Sequence, residues 1–92
     1  MSEMALLPSL ITFLKEHKEL YTVRHWRYTG TTCNIVDVGS CNRKFVRKIT
    51  QSSDLMPFVS LSGFNSKEEW MIQIRKFIKH GDMYLYRITL KN

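Results

Sequence analysis

The sequence predicts one α+β domain, residues 1–92, with a small curled, mainly antiparallel sheet or partly open β-barrel flanked by two helices. Three observations predict it. Ninety-two residues with 43% apolar and 24% charged content suit one core and no more. Several short runs alternate between apolar and polar residues at the period of a strand. Two segments instead repeat their apolar residues at helical spacing, and one of them opens with a capping sequence.

The elements follow in order. Pro8 suits the first turn of a helix near residues 8–18, with Leu7 or Ser9 as its cap. Leu6, Leu10, Phe13, Leu14 and His17 then form its apolar stripe. Leu20–Tyr28 reads as the first strand, sending Thr22, Arg24, Trp26 and Tyr28 to one face and Val23, His25 and Arg27 to the other. After a turn at Thr29-Gly30-Thr31, the β-branched run Cys33–Val38 reads as the second strand. Gly39-Ser40-Cys41-Asn42 reads as a hairpin turn, and Arg43–Thr50 as the returning strand, with Phe45, Arg47 and Ile49 on one face. Gln51–Met56 reads as a polar loop and Pro57–Leu61 as a short strand. Ser66-Lys67-Glu68-Glu69 is a capping box opening a helix near 66–80, whose stripe is Trp70, Met71, Ile74, Phe77 and Ile78. Gly81 is the expected cap at its far end, and Met83–Leu90 the last strand.

The net charge is +6, and its distribution is uneven. Residues 23–50 carry Arg24, Arg27, Arg43, Lys44, Arg47 and Lys48 against Asp37 alone. A basic stretch interleaved with Trp26 and Tyr28 is the composition of a surface that holds phosphates and stacks on bases. The competing explanation is a solvated basic face with the aromatics in the core. His17, His25 and His80 with Cys33 and Cys41 give no metal-ligand spacing, so no metal and no cofactor are expected. A Cys33–Cys41 disulfide is conceivable, but Cys41 is expected in a turn and need not face Cys33, so free thiols, as in a reducing compartment, are the default expectation. The apolar run Leu6–Leu14 is too short to span a bilayer and lacks the basic flank of a secretion signal. The expectation is a cytoplasmic monomer that does not enter a membrane.

Two stretches carry a family resemblance. His17-Lys18-Glu19-Leu20-Tyr21-Thr22-Val23-Arg24 looks like the helix-to-strand pattern Gly-Arg/Lys-Lys-Thr-x-Thr-Ile/Val-Arg. Ser62-Gly63-Phe64-Asn65-Ser66-Lys67-Glu68-Glu69-Trp70, followed by the strand Tyr84–Leu90, looks like a second pattern, Glu-Gly-Phe-x-Ser-x-Glu-Glu-Leu/Trp. Both are patterns of the ASCH domains, and the order of elements is similar over nearly the whole chain. The resemblance implies a PUA-like barrel and an RNA or nucleotide partner. Members similar to N4-acetylcytidine amidohydrolases use a lysine, a threonine and a glutamate. Here the threonine position falls on Thr22, the lysine position on Glu19 with Lys18 one residue early, and the acid position on Ser62. Serine without a partner is a poor acid or base near neutrality. The chain thus resembles a binding member of the fold more than this hydrolase.

The expected function is an RNA-binding or nucleotide-binding module with a basic, aromatic-lined cleft. Its contacts would come from Arg24, Trp26, Arg27, Tyr28, Arg43, Lys44, Arg47 and Lys48. A small hydrolase acting on RNA or modified nucleosides is the alternative, with Thr22, Lys18 and His25 as its weak catalytic candidates. A domain that binds an acidic protein is the third reading.

Overall fold

The computed structural model describes residues 2–91; Met1 and Asn92 of the expected domain lie outside the described residues. The chain runs β1 (Ser2–Met4), α1 (Pro8–His17), β2 (Glu19–Arg24), β3 (Thr32–Ile35), β4 (Gly39–Ile49), a 3₁₀ helix (Ser52–Leu61), α2 (Lys67–Phe77) and β5 (Met83–Leu90). The five strands form one curled half-barrel in the order β1-β3-β4-β5-β2, so the class is α+β. Every neighbouring pair is antiparallel except β1 with β3.

The sheet is covered on both faces because β5 alternates two apolar sets. Tyr86 and Ile88 join Leu20, Cys33, Ile35, Cys41 and Met4 under α1, which contributes Leu10 and Leu14. Met83 and Leu85 join Val23 and Ile49 under α2 and the 3₁₀ helix, which contribute Trp70, Ile74 and Leu55. Burying side chains of this size contributes about 1.5–3 kcal/mol each. The helices are therefore fixed by their stripes rather than by intrinsic propensity.

Helix α1 starts at Pro8 after Leu7, without a side-chain cap, and stops at Lys18. Lys18 adopts the left-handed conformation (φ 69°), and its N–H donates to the Leu14 carbonyl. Helix α2 is capped by Ser66, whose hydroxyl accepts from the Glu69 N–H at 3.0 Å. Gly63, at φ 85°, lets the chain pass against Leu10 of α1, where any Cβ would collide with that side chain.

Five sequence expectations are corrected. The first strand ends at Arg24, not Tyr28, so Trp26 and Tyr28 ride a loop instead of the alternating face. The β3–β4 hairpin turns at Val36-Asp37-Val38, closed by the Val38 N–H on the Ile35 carbonyl at 2.9 Å, with Asp37 at φ 68°. Asp tolerates that conformation, which moves the turn ahead of Gly39 and puts Gly39–Asn42 in a strand. As a result Cys41 is not in a turn: it pairs directly across from Cys33, and both thiols are buried and free. Pro57–Leu61 is 3₁₀ helix rather than strand, and the fifth strand is supplied by Ser2–Met4. Helix α2 ends at Phe77 with Ile78 as its cap, short of Gly81, and Phe77 is exposed rather than part of the buried stripe.

A β-bulge between Phe45 and Arg47 makes the fifth correction. Phe45 lies opposite Tyr86 and Arg47 opposite its neighbour Leu85, with Val46 as the extra residue. A bulge of one residue exchanges the faces of everything beyond it. Phe45 therefore faces α1, whereas Arg47 and Ile49 face α2, and the three do not share a side.

Candidate nucleic-acid interface

The half-barrel leaves a seam between its two edge strands. Arg24, the last residue of β2, reaches across it and donates from Nη2 to the carbonyl of Ala5, just past β1, at 3.0 Å. A cleft of about 500 Å³ opens along this seam, within the size range of small-ligand sites. One wall is the segment Ala5–Pro8 with Leu10; another is Thr22–Trp26 with Tyr28; the third comes from α2, including Gln73, Ile74 and Phe77.

Two exposed aromatics line this cleft, Trp26 at 65% and Phe77 at 72% exposure. Arg24 stands in the same wall. Burial pushes its guanidinium below the usual arginine range, while the neighbouring Tyr28 and Cys33 act the other way. Its Nε is buried without a hydrogen-bond partner among the described residues. His25 packs on Trp26, with ring centroids 4.9 Å apart, and its Nδ1 meets the Asp82 carbonyl at 3.2 Å. A carbonyl only accepts, so Nδ1 carries the proton.

The Tyr86 hydroxyl ties the loop carrying Trp26 and Tyr28 to the sheet. Tyr86, itself 1% exposed, donates from Oη to the Trp26 carbonyl at 2.9 Å and accepts from the Tyr28 N–H at 2.7 Å.

The structure brings together Thr22, Arg24, His25, Trp26 and Tyr28 of the sequence-selected residues. Lys18 is not with them; it caps α1 and faces solvent. The six basic residues of 23–50 do not form one continuous track. Arg47 pairs with Asp54 at 3.4 Å on the α2 side, and Lys48 pairs with Asp82 at 3.3 Å. Arg27 lies over the Phe45 ring at 3.9 Å, and Lys44 is exposed on β4. Arg43, expected on the surface, is 1% exposed, because β4 turns it inward between Cys41 and Phe45. Ser62 lines the cleft, but its hydroxyl donates to the Val59 carbonyl at 2.7 Å and accepts from the Phe64 N–H at 3.1 Å. Those bonds shape the turn into α2 and leave no basic partner to activate it.

Phe77 was missed as a site residue. The signal was present: helical geometry puts it on the edge of the Trp70–Ile74–Ile78 stripe, where a side chain can be half core and half rim. Among the described residues, no cluster of His, Cys, Asp or Glu is placed to hold a metal ion, and no helix is long and apolar enough to cross a membrane. In comparisons with known proteins, no family model, no curated protein and no solved structure matches the chain.

Proposed function

We propose that this protein is an RNA-binding or nucleotide-binding module and that the seam cleft is its site. The observation that carries the reading is the placement of Arg24, with an unpartnered donor, in the same cleft as two exposed aromatics. Bare aromatic faces beside a guanidinium suit unstacked bases and their phosphates. Large exposed aromatics otherwise cost solvation with no return in folding, so two at one cleft favour a ligand role. Single-stranded or looped RNA is the favoured partner, because only splayed bases can enter a cleft of this size. The resemblance to ASCH domains, with their PUA-like fold, supports the same reading through Thr22 and Arg24.

The hydrolase reading has less support. Lys18 stands outside the cleft, Glu19 is engaged with Arg87 at 2.9 Å, and the Ser62 hydroxyl is committed to backbone. The test is binding of short single-stranded RNA to the protein and to Trp26→Ala and Phe77→Ala. Each substitution is expected to weaken binding by about 1–3 kcal/mol, the worth of one base–aromatic stack, with little change in melting temperature. Unchanged affinity in both variants, or binding to acidic peptides instead of RNA, overturns the reading.

A further inference from the structure

Arg43 is a second guanidinium inside the half-barrel that the cleft alone does not explain. It is almost fully buried, and its Nε and Nη1 have no hydrogen-bond partner among the described residues. The one hydrogen bond its guanidinium makes among the described residues is long, from Nη2 to the Thr29 carbonyl at 3.4 Å. Its Cζ lies 4.0 Å from the centroid of the Tyr28 ring and 5.9 Å from that of Tyr86. Arg24 projects from the same face of the sheet, with its own Nε unpartnered. The Cys33 thiol lies near both, and their charges oppose the rise that burial imposes on it. Among the described residues, no carboxylate pairs with either arginine: the groups facing them are the tyrosine rings of residues 28 and 86, the Cys33 thiol, and the carbonyls of Ala5 and Thr29. One buried cation beside a half-buried one, each with a spare donor and neither with an acid, is costly as it stands. An anion of charge near −2 would relieve both.

We propose that Arg43 and Arg24 together receive a terminal phosphomonoester of the ligand, behind Tyr28. The proposal rests on the reading of the cleft as a nucleotide site and names the ligand class within it. Three features select that group. A phosphomonoester carries about −1.5 to −2 charge near neutrality, matching two guanidinia, whereas an internal diester carries −1. Guanidinium forks match phosphate oxygens in pairs, and both arginines have donors to spare. Arg43 lies inside the sheet, so an internal diester would have to enter and leave, while a chain end need only enter. Tyr28 both lines the cleft and covers Arg43, and it belongs to the loop held by Tyr86. The Tyr28 ring must therefore turn aside to admit the phosphate.

The test compares three short RNAs of one sequence, with a 5′-phosphate, a 3′-phosphate, or hydroxyls at both ends, and inorganic phosphate alone. Binding is read by calorimetry. One phosphate-ended RNA should bind about 10–100-fold tighter than the hydroxyl-ended one, the worth of one or two charge-assisted hydrogen bonds. Which RNA gains identifies the end that is received. That advantage should shrink as pH falls below about 6, where the monoester loses its second charge. His25 lines the same cleft, so only the difference between the three RNAs is read. Arg43→Met should remove the advantage and leave binding of hydroxyl-ended RNA in place. Equal affinity for all three ends overturns the proposal while the RNA reading survives. If inorganic phosphate binds and is lost in Arg43→Met while none of the RNAs binds, the internal anion site stands and the RNA reading is overturned. No binding of any probe overturns both. If Arg43→Met does not fold, the comparison of ends and its pH profile in the unaltered protein decide alone.

Discussion

The Tyr86 hydroxyl is the point where fold and site can be separated by one atom. Tyr86→Phe keeps the ring, which is 1% exposed and packs against Phe45 and Tyr28 at 5.8 and 5.5 Å between centroids. It removes only the oxygen that ties the Trp26 carbonyl and the Tyr28 N–H to the sheet. Each such neutral bond contributes about 0.5–1.5 kcal/mol net, so two amount to about 2 kcal/mol. In a domain of this length each kcal/mol moves the melting temperature by about 4–8 °C, giving a fall of roughly 10 °C. The loop also loses its fixed position, and binding must restore it. Each kcal/mol of order that the ligand has to supply weakens affinity about fivefold. Thermal unfolding followed by circular dichroism, alongside an RNA titration of the same sample, measures both. A melting temperature unchanged within a degree would refute the reasoning, since the hydroxyl would then not be holding the loop. A fall in stability with unaltered RNA affinity would instead detach Trp26 and Tyr28 from binding.

Arg24→Ala is expected to weaken RNA binding and also to lower the melting temperature by a few degrees, because Nη2 bridges the seam to Ala5 at 3.0 Å; parallel titration and melting measure the two effects. Salt should weaken RNA binding with a log–log slope of about −1.4, from roughly −0.7 for each phosphate met by Arg24 and by Arg27 on the adjoining loop; Arg27→Ala should reduce that slope by about 0.7, and a flat dependence excludes phosphate contact. Asp54 accepts from the Thr50 N–H and hydroxyl at 3.0 Å and from the Gln51 N–H at 3.1 Å, and these bonds, with Arg47, hold its carboxyl below the usual range. Its folded pKa is depressed, so its stabilisation is complete above the unfolded value near 4 and is lost as pH falls through the folded one; Asp54→Asn should melt lower at neutral pH and show a flatter melting profile below about pH 4. Purified protein is expected to leave N4-acetylcytidine intact, and deacetylation that disappears in Thr22→Ala would show otherwise.

What the sequence makes legible divides by range. Helix α2 is local: its cap Ser66 and the anchors Trp70 and Ile74 are written within two turns, and the structure keeps them. The alternation of β5 is likewise local, and the structure builds its two-sided core on it. The edges of the sheet are not local. Ser2–Met4 becomes a strand only because Cys33–Ile35 offers it a partner, and nothing in three residues reveals that pairing. Pro57–Leu61 has the composition of a strand, but it pairs with no strand of the sheet and coils into 3₁₀ turns.

The candidate site follows the same division, and Arg43 is where it matters most. Strict alternation from Arg43 through Ile49 places Arg43 with Arg47 on one face and reads both as part of a solvated basic patch. The bulge at Val46 breaks that equivalence. Up to Phe45 the strand keeps the parity of the α1 face, so Arg43 is carried inward opposite Ile88. Beyond it the parity reverses, and Arg47 emerges on the α2 side beside Asp54. A bulge leaves no mark in composition, and a β-branched valine gives no hint of one. The basic stretch at 23–50 is therefore a sum over different fates: Arg24 at the cleft, Arg43 inside the half-barrel, Arg47 and Lys48 neutralised by acids, Arg27 and Lys44 at the surface. Net charge predicted a polyanion for the stretch as a whole. Two of those arginines, on one sheet face, keep buried donors without a partner among the described residues, and the ligand proposed for them is accordingly a chain end carrying one doubly charged group rather than a long polyanion.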